Sequence, residues 1–182
     1  MQKFEEKKFN VPKLKGISEK TIEEHLKLYA GYVKNINLIL EQTENARLGF
    51  EFNGMRNHEY YFESLTGGPK KLEEKSKFKK EIEKEFGDFD KWLATFKSIA
   101  TTRGVGWAML YYDPLTKQLL NTWIDEHHIG QLNGCRTILA LDMWEHAFVA
   151  DYQPSGKKNY IEDFFANLNW QVIEKNFEEA SK

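Results

Sequence analysis

The sequence predicts an α+β fold, in which a helical front half is joined to a back half of helices and strands. Two observations support this prediction. Up to Leu65 the apolar residues recur at steps of three and four, which is the spacing of amphipathic helices. After Gly104 they instead form short continuous runs, which are typical of buried strands. Gly67-Gly68-Pro69 separates the two patterns, so we expect a helical hairpin domain at 1–68 and an α+β domain at 69–182.

Two helices are predicted in the front half. The first begins after Ser18, a residue type favoured at helix N-caps, and runs to about Gln42. Its apolar stripe contains one histidine, His25. The second helix covers roughly Ala46 to Leu65 and carries His58 on its inner face. Each helix of the hairpin therefore places one histidine on its buried side.

The back half begins with the Lys- and Glu-rich segment Pro69–Glu85, which we interpret as a linker and a solvated helix. A helix capped by Asp88 or Asp90 follows and runs to about Thr101. Three strands are then predicted, at Trp107–Tyr112, Gln118–Ile124 and Thr137–Leu141. Two helical segments follow, at Tyr160–Asn167 and Asn169–Glu179.

Composition excludes several classes of protein. Lys and Arg number 26 against 28 Asp and Glu, and this near-balance argues against nucleic acid as a partner. No window reaches 18 apolar residues, so no membrane-spanning segment is expected. The only cysteine, Cys135, cannot form an intramolecular disulfide, and the first 16 residues lack the apolar core of a secretion signal. We therefore expect a cytoplasmic protein.

The histidines are the first candidates for chemistry. A lone histidine on an apolar stripe is more often a hydrogen-bonded core residue than a metal ligand. Two such histidines on adjacent helices of one hairpin, His25 and His58, need a shared proton or a shared cation where they face each other, and a metal ion satisfies both. A carboxylate at the end of a predicted strand, Asp142, is followed four residues later by His146, and these two side chains can converge on the same cation.

The segment Asp142-Met-Trp-Glu-His146-Ala, preceded by L-x-L, resembles the metal-binding signature of the iron/manganese superoxide dismutase family. Further blocks that resemble this family occur in the family's order along most of the chain. These blocks are Val11-Pro12, Ile17 to Ile22 with His25, Tyr32-Val33, Asn35 to Asn37, Asn57-His58, Tyr60 to Phe62, Gly87 to Lys91, Gly104 to Trp107, and Asn167 to Trp170.

This resemblance implies a metal centre and a reaction. The implied ligands are His25, His58, Asp142 and His146, with a water or hydroxide in the fifth position. They would hold one iron or manganese ion per subunit, between the helical hairpin and a domain with a short three-stranded antiparallel sheet. The implied reaction disproportionates superoxide to oxygen and hydrogen peroxide.

The resemblance also implies roles for residues around the metal. Tyr32 resembles the gateway tyrosine that lines substrate access and helps to relay protons. Trp107 and Trp144 resemble the aromatic wall of the site. Glu145 resembles the residue that reaches the neighbouring subunit's ligand histidine, His146, so the resemblance implies a homodimer.

Two departures from the family pattern affect the site. The family places its first ligand eight residues before the gateway tyrosine, whereas His25 and Tyr32 are seven apart, and counting back eight gives Glu24. We favour His25, because it shares the buried stripe with Ile22 and Tyr29 while Glu24 points away. We therefore expect that a local helix bulge of the relatives is absent here.

The second departure concerns the glutamine that holds the metal-bound solvent in relatives. One of its two possible positions is Gly54, which has no side chain and leaves room for another group. The other is the tripeptide Glu126-His127-His128, which contains no glutamine. We expect His127 to take this role, ahead of His128 and Glu126; the alternative is that both histidines are solvated loop residues.

Lys157 lies near the position of an arginine of the family's substrate funnel, where it could still attract an anion.

An alternative function is a superoxide dismutase-like structural or assembly protein without catalysis, but retention of all four ligands and Tyr32 favours the enzyme. Three histidines and an aspartate would also suit a zinc hydrolase, but no H-E-x-x-H motif is present.

Overall fold

The computed structural model describes residues 3–41 and 47–182. Within these ranges the chain forms seven α-helices and three β-strands, which confirms the predicted α+β fold class. The helices are α1 (Glu19–Glu41), α2 (Leu48–Leu65), α3 (Lys77–Phe86), α4 (Phe89–Ala100), α5 (Val149–Tyr152), α6 (Lys157–Asn167) and α7 (Trp170–Ala180). The strands are β1 (Gly106–Asp113), β2 (Gln118–Asp125) and β3 (Arg136–Asp142). The predicted helix bounds at Gln42 and Ala46 lie outside the described residues, and the domain division after residue 68 stays a prediction.

The start of α1 is fixed by two side chains. The hydroxyl oxygen of Ser18 accepts a hydrogen bond from the backbone N–H of Thr21 at 3.1 Å, as expected for an N-cap. Asp151, in α5, accepts hydrogen bonds from the backbone N–H of Ser18 (2.8 Å) and from the hydroxyl of Thr21 (2.7 Å). The helix that carries His25 is therefore tied to the segment that follows His146.

The sheet has the antiparallel order β2-β1-β3, with β1 in the centre. Strand β1 is buried along nearly its whole length, as its continuous apolar run predicts. Trp107 near the start of β1 lies opposite Asp142 at the end of β3. Helix α2 packs against β3, so this end of the sheet faces the helical hairpin.

Helix α3 differs from its prediction as a solvated helix. Phe78 and Ile82 are fully buried, although most of the surrounding residues are Lys and Glu. They are four residues apart and therefore lie on the same face of the helix, where they join the core. Two apolar residues at this spacing are enough to anchor a ten-residue helix whose composition is mostly charged.

The C-terminal helix is joined to the end of α2 by Asn169. Its side-chain carbonyl accepts from the backbone N–H of Gln171 and so caps α7, while its amide donates to the backbone carbonyl of Thr66 at 2.8 Å. Its backbone N–H donates to the carbonyl of Ser64. In the described part of the chain, no helix is both long and apolar enough to span a membrane.

Candidate metal centre

Four side chains converge between the helical hairpin and the C-terminal part of the chain: His25, His58, Asp142 and His146, which we call the ligand cluster. The carboxylate oxygen Oδ2 of Asp142 lies 3.1 Å from Nε2 of His25, 3.5 Å from Nε2 of His58 and 3.1 Å from Nε2 of His146. One ligand atom from each of the four residues lies within 4.8 Å of all the others. The cluster is almost completely buried; only His146 is partly exposed, with 24% of its side chain accessible.

Each member is positioned by a different element. His25 lies on the buried stripe of α1 and His58 on the buried face of α2. Asp142 is the last residue of β3, and His146 follows in a short 3₁₀ turn. Glu24, the other candidate for the first ligand, is exposed and pairs with Lys27 at 2.7 Å.

The seven-residue spacing from His25 to Tyr32 has a geometric explanation. Helix α1 is α-helical over all its 23 residues. Seven residues make almost two turns of an α-helix, so both side chains lie on the same face. A spacing of eight would turn the tyrosine away from the cluster unless the helix contained a bulge.

The hydrogen bonds of His58 show that the cluster fits a cation. Nδ1 of His58 lies 2.6 Å from the backbone carbonyl of Gly54, and because a carbonyl can only accept, Nδ1 carries the proton. Its Nε2 therefore presents a lone pair towards the carboxylate of Asp142, and this buried atom has no hydrogen-bond partner among the described residues. Two acceptors facing each other at 3.5 Å are unfavourable unless a proton or a metal ion lies between them. Burial lowers the pKa of His58 well below its usual value and so disfavours the proton. Three imidazoles and one carboxylate suit a first-row transition metal.

Asp142 is held as a carboxylate. Its Oδ1 accepts the backbone N–H of Trp144 at 2.8 Å, and its backbone carbonyl accepts the hydroxyl of Tyr160 at 2.9 Å. Burial by itself would raise its pKa, but His146 and His25 outweigh burial and hold the pKa of this carboxyl well below its usual range. Burial lowers the pKa of His25 and of His58, which keeps their imidazoles neutral and able to bind a metal.

Beside the cluster, the hydroxyl of Tyr32 lies 2.6 Å from Nε2 of His127; we call these two residues the gate pair. The indole N–H of Trp107 donates to Nδ1 of His127 at 3.0 Å. Because an indole can only donate, Nδ1 is unprotonated, and in the neutral imidazole Nε2 carries the proton. Burial lowers the pKa of His127 to about 4, so the neutral form predominates near pH 7. His127 therefore donates to the tyrosine oxygen, and the hydroxyl proton of Tyr32 is left free to point elsewhere.

Gly54 provides the space for the gate pair. A Cβ at this position would lie 2.8 Å from two ring carbons of Tyr32 and 3.2 Å from a ring carbon of His127. The expectation that Gly54 leaves room for a group from elsewhere on the chain agrees with this geometry. Its backbone carbonyl also orients His58, so one residue contacts both the ligand cluster and the gate pair.

The two predicted tryptophans line the cluster and the gate pair. The ring of Trp144 stacks on His127 with a centroid distance of 4.6 Å, and its indole N–H donates to the carbonyl of Glu126. The ring of Trp107 meets His58 edge to face at 5.0 Å. Aromatic rings therefore pack against both His58 of the cluster and His127 of the gate pair.

The remaining predicted residues lie at the surface of the site. His128 is exposed and its Nδ1 lies 3.8 Å from the carboxylate of Glu126, so neither side chain reaches the cluster. Glu145 is exposed beside the partly exposed His146. Lys157 donates to the backbone carbonyl of Thr102 at 2.6 Å.

Sequence reasoning missed the residues that hold His127 from behind. The amide of Gln131 donates to the backbone carbonyl of His127 at 3.0 Å, and the amide of Asn57 donates to the same carbonyl at 3.3 Å. Tyr111 in turn donates to the side chain of Gln131. Asn57 is 70 residues from His127 and Tyr111 is 20 residues from Gln131, and only Asn57, next to His58, belonged to a motif noted in the sequence.

Comparisons with known proteins agree with this geometry. A family model described as iron/manganese superoxide dismutases, C-terminal domain, matches residues 74–176. A superoxide dismutase [Fe] of Aquifex pyrophilus is 32% identical over 93% of this chain and 88% of its own length. A superoxide dismutase [Fe] of Cupriavidus metallidurans is 33% identical over 92% of both chains. A superoxide dismutase [Mn] of Haloarcula marismortui is 40% identical over 54% of this chain and 48% of its own length.

Proposed function

Since the chain belongs to the iron/manganese superoxide dismutase family, we propose that it disproportionates superoxide at the ligand cluster. The observation that supports this most directly is the convergence of three histidine nitrogens on one buried carboxylate oxygen. In the overall reaction one superoxide loses an electron and leaves as oxygen. A second superoxide gains that electron and two protons and leaves as hydrogen peroxide.

The four residues of the cluster are the proposed ligands of one iron or manganese ion. When bound, the ion supplies the one-electron redox couple that the two halves of the reaction share. Asp142 contributes a negative charge in a buried site, which favours the higher oxidation state. The neutral imidazoles of His25 and His58 contribute lone pairs without adding charge. The relatives named for iron and for manganese support either metal.

The gate pair is the proposed source of protons. The second half of the reaction consumes protons, and the hydroxyl proton of Tyr32 is the one that its hydrogen bonds leave free. Burial raises the pKa of Tyr32, and the charge of Asp142 raises it further, so this phenol stays protonated at neutral pH. Tyr32 is therefore the proposed catalytic proton donor.

His127 is proposed to act through Tyr32. Both of its ring nitrogens are engaged, one with Trp107 and the other with Tyr32, so neither is available for a further strong hydrogen bond. The expected direct contact of His127 with metal-bound solvent is therefore replaced, in this proposal, by a positioning role. His127 orients the phenol and directs its proton away from the imidazole.

The expected homodimer remains part of the proposal. Glu145 is exposed and adjoins His146, which uses Nε2 towards Asp142 and is itself partly exposed. A second copy of the chain could place its own glutamate against Nδ1 of this histidine, which would orient the ligand. Sedimentation of the wild type and of Glu145→Ala tests this: we expect a dimer that the variant weakens.

The test of the proposed function reconstitutes the protein separately with iron and with manganese, then measures bound metal and superoxide consumption. The decisive variant is Asp142→Ala, for which we expect loss of metal retention and of activity. The matched control is Asp113→Ala, because Asp113 ends β1 as Asp142 ends β3 but bonds only within its own turn. Metal and activity retained by Asp142→Ala would refute the ligand assignment. Stoichiometric metal without activity in the wild type would favour the non-catalytic alternative.

A further inference from the structure

An exposed arginine lies near the gate pair, with one phenylalanine ring between them. The guanidinium carbon of Arg47 lies 4.1 Å from the ring centroid of Phe50. The same phenylalanine ring contacts His127 at 4.7 Å and His128 at 5.6 Å, measured between centroids. We call Arg47, Phe50 and His128 the rim. Arg47 and His128 are exposed and Phe50 is half-buried, while His127 beneath them is fully buried.

The rim brings a fixed positive charge within electrostatic range of the gate pair. The guanidinium lies 4.1 Å from the centroid of Phe50, and that centroid lies 4.7 Å from the centroid of His127. The guanidinium is therefore nearer to the His127 ring than one Debye length, which is about 10 Å at 0.1 M salt. Stacking on the ring restricts the side chain, because a guanidinium is attracted to an aromatic face. Arg47 is therefore held against Phe50, close to the gate pair, while its charge remains in contact with water.

Among the described residues, the carboxylates of Glu51 and Glu126 near the rim each face a partner. The carboxylate of Glu51 accepts from the amide of Asn35 at 3.2 Å, and that of Glu126 faces His128. Lys157, which the sequence placed near the substrate funnel, donates to Thr102 and lies 5.4 Å from the ring centroid of Trp123. Neither of these two contacts of Lys157 involves a residue of the gate pair or the rim.

We propose that Arg47 guides small monovalent anions to the gate pair, using Phe50 as its support. This proposal rests on the proposed function, because it takes superoxide as the anion that Arg47 guides. Guidance of this kind acts on the association rate and weakens as salt is added. Arg47 contributes no proton and binds no metal, so metal content and fold are expected to be independent of it.

The test compares Arg47→Gln with Arg136→Gln. The control removes the same charge from an exposed arginine at the opposite end of β3 from Asp142, roughly 20 Å away along the strand. Two association rates are measured on metal-loaded protein, at 10 mM and 500 mM ionic strength: superoxide consumption, and binding of azide followed by absorbance. Azide carries the charge of superoxide but does not react, so its rate is informative even if turnover is absent.

We expect Arg47→Gln to slow both rates about twofold at low salt, since the attraction across this distance in water is below RT. The difference should disappear at high salt. Arg136→Gln and Arg47→Lys should match the wild type, because the lysine keeps the charge.

Several results would overturn the proposal: equal rates in Arg47→Gln and Arg136→Gln at low salt, a difference that persists at high salt, or no azide binding by the wild type. A change in sedimentation of Arg47→Gln would also overturn it, because the arginine would then belong to a subunit interface. A wild type that binds azide but consumes no superoxide refutes the proposed function alone. The azide rates still decide the role of Arg47 in that case.

Discussion

The ligand cluster and the gate pair touch each other, yet their polar atoms are satisfied in opposite ways. In the gate pair each hydrogen bond joins a donor to an acceptor: Trp107 donates to His127, and His127 donates to Tyr32. In the ligand cluster the lone pair of His58 faces the carboxylate of Asp142. The chain therefore completes the gate pair by itself, whereas the cluster needs a cation to become favourable.

The ligand cluster is therefore the part of the site that depends on a cation. The binding energy of a cation at the cluster adds to the stability of the fold, because the four residues of the cluster come from both halves of the chain. The gate pair is supported by Gln131 and Asn57, whose side-chain amides donate to the backbone carbonyl of His127 rather than to the ligand cluster. We therefore expect the gate pair to keep its arrangement whether or not the metal is bound.

The largest expected effect is that of metal removal on thermal unfolding. Metal at about 100 times its dissociation constant adds about 2.7 kcal/mol to the free energy of unfolding. For a chain of this size that corresponds to roughly 5 to 10 °C in Tm. Calorimetry of metal-loaded and chelated protein measures this shift, and Asp142→Ala should show none. Equal Tm values with and without metal in the wild type would contradict the view that the cluster depends on its cation.

A smaller effect is expected from Gly54→Ala, which tests the gate pair. The new methyl group would lie 2.8 Å from the ring of Tyr32, so the ring must move away from His127. The matched control is Gly31→Ala in α1, where nothing lies within 4 Å of the added carbon. Alanine in a helix interior is favoured over glycine by about 1 kcal/mol, so the control should be more stable than the wild type.

Denaturant titration of the two variants should therefore differ by about 2 kcal/mol or more, with Gly54→Ala the less stable. We also expect Gly54→Ala to bind metal at full stoichiometry but to consume superoxide more slowly. Unchanged activity in Gly54→Ala would show that the distance between Tyr32 and His127 is unimportant for turnover. Loss of metal would show that the gate pair and the cluster are not separable.

The sequence predicted the ligand cluster better than the gate pair. Periodicity placed His25 and His58 on buried helix faces, and the family resemblance supplied Asp142 and His146, because these features are local in the chain. The engagement of both nitrogens of His127 was not predictable, since its partners Trp107 and Tyr32 are 20 and 95 residues away.

The same reason explains the error at α3. A run of Lys and Glu indicates a solvated helix, but burial is decided by what packs against the few apolar residues within the run. The ring of Phe78 meets those of Trp92 and Phe177, which belong to other helices. The composition of α3 alone therefore does not indicate which residues of other helices pack against it.

The smallest expected effect concerns Asp151, which supports both regions because it holds the start of the helix that carries His25 and Tyr32. Burial opposes its charge, but hydrogen bonds from Ser18 and Thr21 outweigh burial and lower its pKa below the ordinary value of 3.8. A lowered pKa in the folded state means that this carboxylate stabilises the fold above pH 3.8 and loses that contribution as the pH falls through its folded value.

The variant Asp151→Asn keeps the shape of the side chain and removes its charge. We expect it to be less stable than the wild type at pH 7, by under about 1 kcal/mol, because the carboxylate is partly exposed. Urea titrations of both proteins at pH 7 and at about pH 3 measure the difference, which should shrink at the lower pH. Because Asp151 joins the segment after His146 to α1, the loss at pH 7 should occur in metal-loaded and in chelated protein alike. A difference seen only in the loaded protein would show that Asp151 acts on the cluster rather than on the helix that both regions share.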